Sequence, residues 1–189
     1  MDTFNVMKRV IDQTEVIVDG VSTDELARPT PCSEWTVRDV INHITGGATM
    51  FAECIANGSI SDARMGELFG GDNLGSDYRA AFKRATDGVV ATFDEPGLAD
   101  KLVKLPFGEM PAGIALNIAI FDVTTHAADL AWATGQKIDD QELLETALAV
   151  GREMIGPDMR KPGVFDAEQT AGGDAGATER LLAFAGRKL

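Results

Sequence analysis

The chain contains two histidines, His43 and His126, and the second lies in Asp122-Val-Thr-Thr-His126. Between Pro111 and Ala128 the only formally charged side chain is Asp122. A carboxylate in a run that reads as buried needs a cation or hydrogen-bond donors, because desolvating it unpaired is very costly. The i,i+4 spacing puts Asp122 and His126 on one face of a helix, one turn apart, where both can reach a single metal ion. His43 falls in the middle of a second predicted helix. Two imidazoles and one carboxylate would make three protein ligands, leaving a coordination position for water or a substrate atom.

With 30 acids in 189 residues, an acid four positions from a histidine is a weak signal by itself. The competing reading is a buried Asp–His ion pair that pins the helices without any metal. His43, at the edge of an apolar face, likewise also reads as a satisfied core residue. Asp129, three residues beyond His126, can hydrogen-bond that imidazole and orient it. Its spacing alone also suits a solvated or helix-pairing carboxylate. Cys54 is no partner for His43, since the helix between them spans about 16 Å. Cys32 reaches the site only if its loop folds toward it. Trp35 and Trp132 read as core anchors, and Tyr78, Arg79, Lys83 and Arg84 as a solvated helix face.

The elements that must position these groups follow from period and punctuation. Phe4, Met7, Val10, Ile11, Ile17 and Val18 recur at helical spacing over residues 3–18, and Gly20 ends that run. Pro29 and Pro31 make the next segment an ordered extended loop. Thr36-Val-Arg-Asp39 has the pattern of a helix cap with an acid three residues on, opening a helix to about Ala56. Residues 59–75 are rich in Gly and Asp and read as a loop with at most a short helical turn. A third long helix is predicted over 77–93, then a short hairpin or extended link over 100–110. A fourth runs from Pro111 to about Thr134, stopped by Gly135. Asp139/Asp140 cap a fifth through Met154, residues 156–176 are irregular, and a short helix covers 178–185. The fold expected is all-α, a four-helix bundle with extra short helices and a short hairpin, in one domain over 1–189.

Composition bounds the partners. Apolar content of 44% and charged content of 25% are ordinary for a soluble globular protein. A net charge of -13 argues against nucleic acid or an anionic membrane. The first residues lack the apolar core of a signal peptide, and no run reaches the roughly 18 apolar residues of a membrane span. A cytoplasmic location is expected, with Cys32 and Cys54 as reduced thiols outside any C-x-x-C motif.

Two segments carry a family resemblance. Thr30-Pro-Cys-Ser-Glu-Trp-Thr-Val-Arg-Asp-Val-Ile-Asn-His43 resembles the T-P-C-x-x-W-x-V-x-D-x-x-x-H opening of the DinB-like metal-binding superfamily. Within it, the similarity is to the group related to the mycothiol-dependent maleylpyruvate isomerase N-terminal domain. The segment from Asp122 to Gln136 resembles that group's acid-x-x-x-His-x-x-Asp-Leu-Ala-x-Ala-Thr-Gly motif. Pro162-Gly-Val-Phe165 and the stretch from Arg180 to Arg187 are similar to its small members.

The resemblance implies a DinB-like bundle holding a divalent metal, commonly zinc or nickel, through three side chains. The motif positions fall on His43, Asp122 and His126, with Asp129 behind them. It further implies a thiol-dependent transferase or isomerase acting through a metal-activated thiolate, with mycothiol as the thiol. The alternative is a non-catalytic metal- or ligand-binding bundle. The partners implied are a small-molecule thiol and a substrate, with a homodimer left open. Two departures stand out. The isomerase has Glu where this chain has the shorter Asp122, and its separate C-terminal domain has no full counterpart here, so its substrate is not carried over.

Overall fold

Thr36 opens the helix that carries His43. Its hydroxyl accepts from the Asp39 amide at 3.3 Å, and the Asp39 carboxylate accepts from the Thr36 amide at 2.9 Å. These reciprocal bonds satisfy amides that a helix start leaves unpaired. In the computed structural model, which describes residues 2–106, 108–161 and 165–189, this helix is α2, Val37–Asn57. The other helices are α1 (Thr3–Gly20), α3 (Asp62–Gly70), α4 (Tyr78–Val90), α5 (Ala112–Thr134), α6 (Gln141–Met154) and α7 (Ala177–Phe184). Strands β1 (Leu102–Leu105) and β2 (Gly108–Pro111) pair antiparallel, Leu102 opposite Pro111.

Four helices close a ring: α1 packs on α4 and α5, and α2 on the same two. This is the all-α, DinB-like helical fold that the resemblance implied. The short hairpin is present too, lying against α2 and α5. α6 leans on α5, and α7 covers both. α1 buries one stripe, including Met7, Val10, Ile11, Ile17 and Val18. α5 is covered by α1, α2, α6 and α7, so it is apolar around most of its circumference. It is long and apolar enough for a membrane span, but 72% of its apolar window is buried among the other helices. Gly135, in the left-handed conformation at φ 71°, ends it.

Three expectations need correction. Residues 62–70 form a helix of nine residues rather than a turn. Ser61 caps it through the Arg64 amide at 3.1 Å, and Leu68 is buried beneath it. A Cβ on Gly46 would lie 2.4 Å from the Leu68 carbonyl oxygen, so only glycine lets α3 settle this closely on α2. Tyr78 is not part of a solvated face, although Arg79, Lys83 and Arg84 are exposed as expected. Tyr78 is buried and its hydroxyl donates to the Val21 carbonyl at 2.6 Å, with Arg79 donating to the same oxygen. That carbonyl closes the C-terminal end of α1, where backbone acceptors run out of helical partners. Trp132 is 45% exposed and anchors no core, because its face of α5 is the one the neighbours leave open. Of the tail motif, Pro162 to Val164 lie outside the described residues, while Phe165 packs on Phe121 with ring centroids 6.1 Å apart.

Thr36→Ala removes one half of the α2 cap and should cost about 1 kcal/mol. In a chain of this size that is a fall of about 2–4 °C in melting temperature, readable by calorimetry.

Candidate metal centre

α2 and α5 pack side by side and bring three donors to one point. His43 Nε2 lies 3.3 Å from Asp122 Oδ2, and His126 Nε2 lies 3.6 Å from Asp122 Oδ1. The donor atoms of all three residues lie within 4.8 Å of one another. Bonds of about 2.0–2.1 Å in a tetrahedral zinc site put neighbouring donors about 3.3–3.4 Å apart. The two carboxylate–imidazole separations, one to each oxygen of Asp122, lie close to that edge, so the donor set suits a divalent ion in chemistry and nearly in spacing. The shorter acid at position 122 still reaches, because the i,i+4 turn places His126 directly beside it.

Behind this group stands a second layer. Asp129 is fully buried and its Oδ2 lies 3.1 Å from His126 Nδ1. A carboxylate only accepts, so Nδ1 carries a proton toward Asp129, and Nε2 is the ring nitrogen turned toward Asp122. Arg187 clamps the same carboxylate from the C-terminal tail, Nε to Oδ1 at 3.1 Å and Nη2 to Oδ2 at 3.0 Å. Two forked bonds and an imidazole satisfy a carboxylate that water cannot reach.

The burial of the two acids is the reverse of what the sequence suggests. Asp122, the lone charge of the apolar run, has a side chain 44% exposed at the edge of the bundle. Asp129 is the one sealed inside, not solvated. Gly47 and Ala48 of α2 line the same cavity as Asp122, and a Cβ on Gly47 would meet nothing within 4 Å, so small residues keep this part of the bundle open. Desolvation opposes ionisation of Asp122, but the charge of His126 and the hydrogen bond from His43 outweigh it and hold its pKa at about 2. For His43, desolvation pulls the pKa down, the Asp122 carboxylate pulls it up, and the net effect is a rise above 6.5.

Trp35 is half-buried, packed against the edge of the core and lying over the centre. Its ring stacks on His126 at 5.5 Å and 18°, and lies 4.9 Å from His43. The loop holding it is tied by Thr30, whose hydroxyl donates to the Trp35 carbonyl at 2.9 Å, and by Glu34 at φ 71°. The same loop does fold inward: Cys32 forms a second close group with His126 and Asp129. Burial pushes the Cys32 thiol up to about 11, so it stays protonated and unreactive near neutral pH. Cys54 is remote, donating to the Lys104 carbonyl at 3.4 Å. Spacing finds His43, Asp122, His126 and Asp129. It does not find Arg187, which meets Asp129 only through the fold, nor the roof formed by Trp35.

Comparison with known proteins follows the same residues. The family model described as the mycothiol maleylpyruvate isomerase N-terminal domain matches residues 8–131. That span takes in all four residues of the centre and stops short of Arg187. Two relatives come from Mycobacterium tuberculosis: uncharacterized protein MT0763 of strain CDC 1551 / Oshkosh and uncharacterized protein Rv0738 of strain ATCC 25618 / H37Rv. Each is 36% identical over 191 residues, covering 100% of this chain and of the relative. No solved structure gives a significant match. The chain belongs to the family of the mycothiol maleylpyruvate isomerase N-terminal domain.

Proposed function

We propose that the chain is a divalent-metal protein of the cytoplasm that uses a low-molecular-weight thiol, with mycothiol as the natural candidate, in a transferase or isomerase reaction. The observation carrying this reading is the meeting of His43, Asp122 and His126 from two helices within 4.8 Å. Zinc or nickel would be held by His43 Nε2, one Asp122 oxygen and His126 Nε2. When bound there, such an ion supplies ionisation of a coordinated thiol, giving a nucleophile at neutral pH.

The chain's own residues do the rest. Asp129 fixes the tautomer of His126 and Arg187 fixes Asp129, so the imidazole is aimed before any ligand arrives. Trp35 roofs both rings, and under it the His126 side chain is 7% exposed and the His43 side chain 25%. Asp122 accepts a hydrogen bond from His43 Nε2, and a divalent ion held by the two residues would take the place of that proton. Family membership supports the thiol, and the half-exposed Asp122 supports access for it. A non-catalytic metal-binding bundle makes the same metal predictions and differs only in its response to thiols.

Purified protein should carry about one zinc or nickel per chain by elemental analysis, and His43→Ala should lose it while keeping the helical circular dichroism. Cobalt-substituted protein should change its visible spectrum on adding mycothiol. A spectrum indifferent to thiols leaves only the non-catalytic reading.

Asp129→Asn should weaken zinc binding by about 10–100-fold, measured by competition with a chelator. A purely structural Asp129 would instead lower the melting temperature and leave the zinc affinity of the folded protein unchanged.

Zinc affinity should also depend on pH. His43 must be neutral to coordinate, and its pKa lies above 6.5, so proton competition begins above that value and deepens as pH falls. Each competing imidazole steepens the loss by up to about ten-fold per pH unit. Asp122, held at about 2, remains a carboxylate throughout this range and adds no slope.

A further inference from the structure

His43 and Asp122 also stand on the wall of a cavity of about 170 Å³ that reaches into the ring of four helices. Its inner wall is apolar. Ile11 of α1, Phe82 and Val89 of α4 and Leu116 of α5 line it, each no more than 4% exposed. Among the described lining residues, the other polar side chain is Thr86, whose hydroxyl is engaged at 3.1 Å with carbonyls of its own helix. The interior therefore offers no free polar partner to a charged or hydroxyl-rich group, which would enter at a steep desolvation cost. Toward the centre the walls are small, with Gly47 on α2 and Ala119 on α5. A Cβ on Gly47 would meet nothing within 4 Å, so the space beside it is open to a larger side chain or to a ligand. An apolar cavity of about 150 Å³ is known to accept benzene while staying dry.

We propose that this cavity is the subsite for an apolar group on the ligand of the metal centre. The class is a molecule with a coordinating head, such as a thiol, at His43 and Asp122, and an unsubstituted aromatic ring or an alkyl chain of about six carbons inside the bundle. The link to the head group rests on the metal reading above; the apolar subsite stands on the cavity alone. The geometry orders the two parts, because both polar residues that bear on the ligand sit at one end of the cavity. Specificity for what enters the cavity then comes from the length and shape of the apolar part; a carboxylate or a sugar group, including the sugar portion of mycothiol, stays outside the bundle.

Toluene titrated into metal-free and zinc-loaded protein tests the subsite. It should bind and raise the melting temperature in both forms. Gly47→Leu should weaken it by at least about ten-fold, the worth of displacing a ring from apolar space. Leucine is the better helix former, so the fold is kept; Ala119→Leu blocks the same space from the opposite wall. The head-group link is tested on cobalt-loaded protein with benzyl mercaptan and 2-mercaptoethanol. Benzyl mercaptan should perturb the spectrum at a concentration at least about ten-fold lower, and this advantage should vanish in Gly47→Leu. Toluene that fails to bind, toluene binding unchanged in both variants, or equal response to the two thiols overturns the proposal. A protein that takes toluene but no cobalt overturns the metal reading and leaves the apolar subsite in place.

Discussion

Asp129 has no contact with solvent, and a carboxylate in that position stands only because Arg187 and His126 meet it from two sides. Breaking such a buried pair by removing one partner is strongly destabilising, since the other charge is stranded. The cluster does two jobs with one set of atoms. It bolts the C-terminal tail to α5, and it aims Nε2 of His126 toward Asp122 on the preceding turn of α5 and across to α2. Without that anchor His126 would have a free choice of tautomer and ring orientation, and the three donors would have no fixed meeting point. Arg187 suits the role because its planar fork matches the two carboxylate oxygens, which a lysine would not.

The centre sits at a boundary between two environments. On one side are Asp129, Arg187 and the packed faces of α5, α6 and α7. On the other is the apolar cavity inside the ring, reached past Gly47 and Ala119. Asp122 lies where these meet, half-exposed and flanked by both imidazoles. A fully buried acid there would seal the donors away, and a fully solvated one would lose the electrostatic advantage of the site. Small residues on α2 set this balance by withholding the side chains that would have closed the gap.

The loop from Thr30 to Thr36 gives the third constraint. Its turn ends directly in the cap of α2, so the same few hydrogen bonds that start the helix also hang Trp35 over the imidazoles. A single non-glycine residue in the left-handed region, Glu34, turns the chain there. Among the described non-glycine residues it alone has that conformation, and strain of this kind tends to be kept where a precise side-chain position is needed. On the far side, α3 is held to α2 at Gly46 and brings Phe69 to 5.9 Å from His43.

The long helices and their ends were legible in the sequence because their causes are local: apolar period, the Thr36–Asp39 cap, the Gly135 stop. The pairing of Asp122 with His126 was legible for the same reason, since one helical turn fixes it. The helix over 62–70 was not, because Gly66 and Gly70 mask a segment held by its Ser61 cap and by packing on α2. Nor could spacing tell which acid of α5 is sealed and which is open. That depends on what faces each turn: Arg187, 58 residues away, at Asp129, and the small side chains of α2 at Asp122. Local pattern therefore determined which groups could act together. Tertiary packing decided which of them are aimed, which are charged partners, and which stand beside open space, because burial and long-range pairing arise only when distant elements meet.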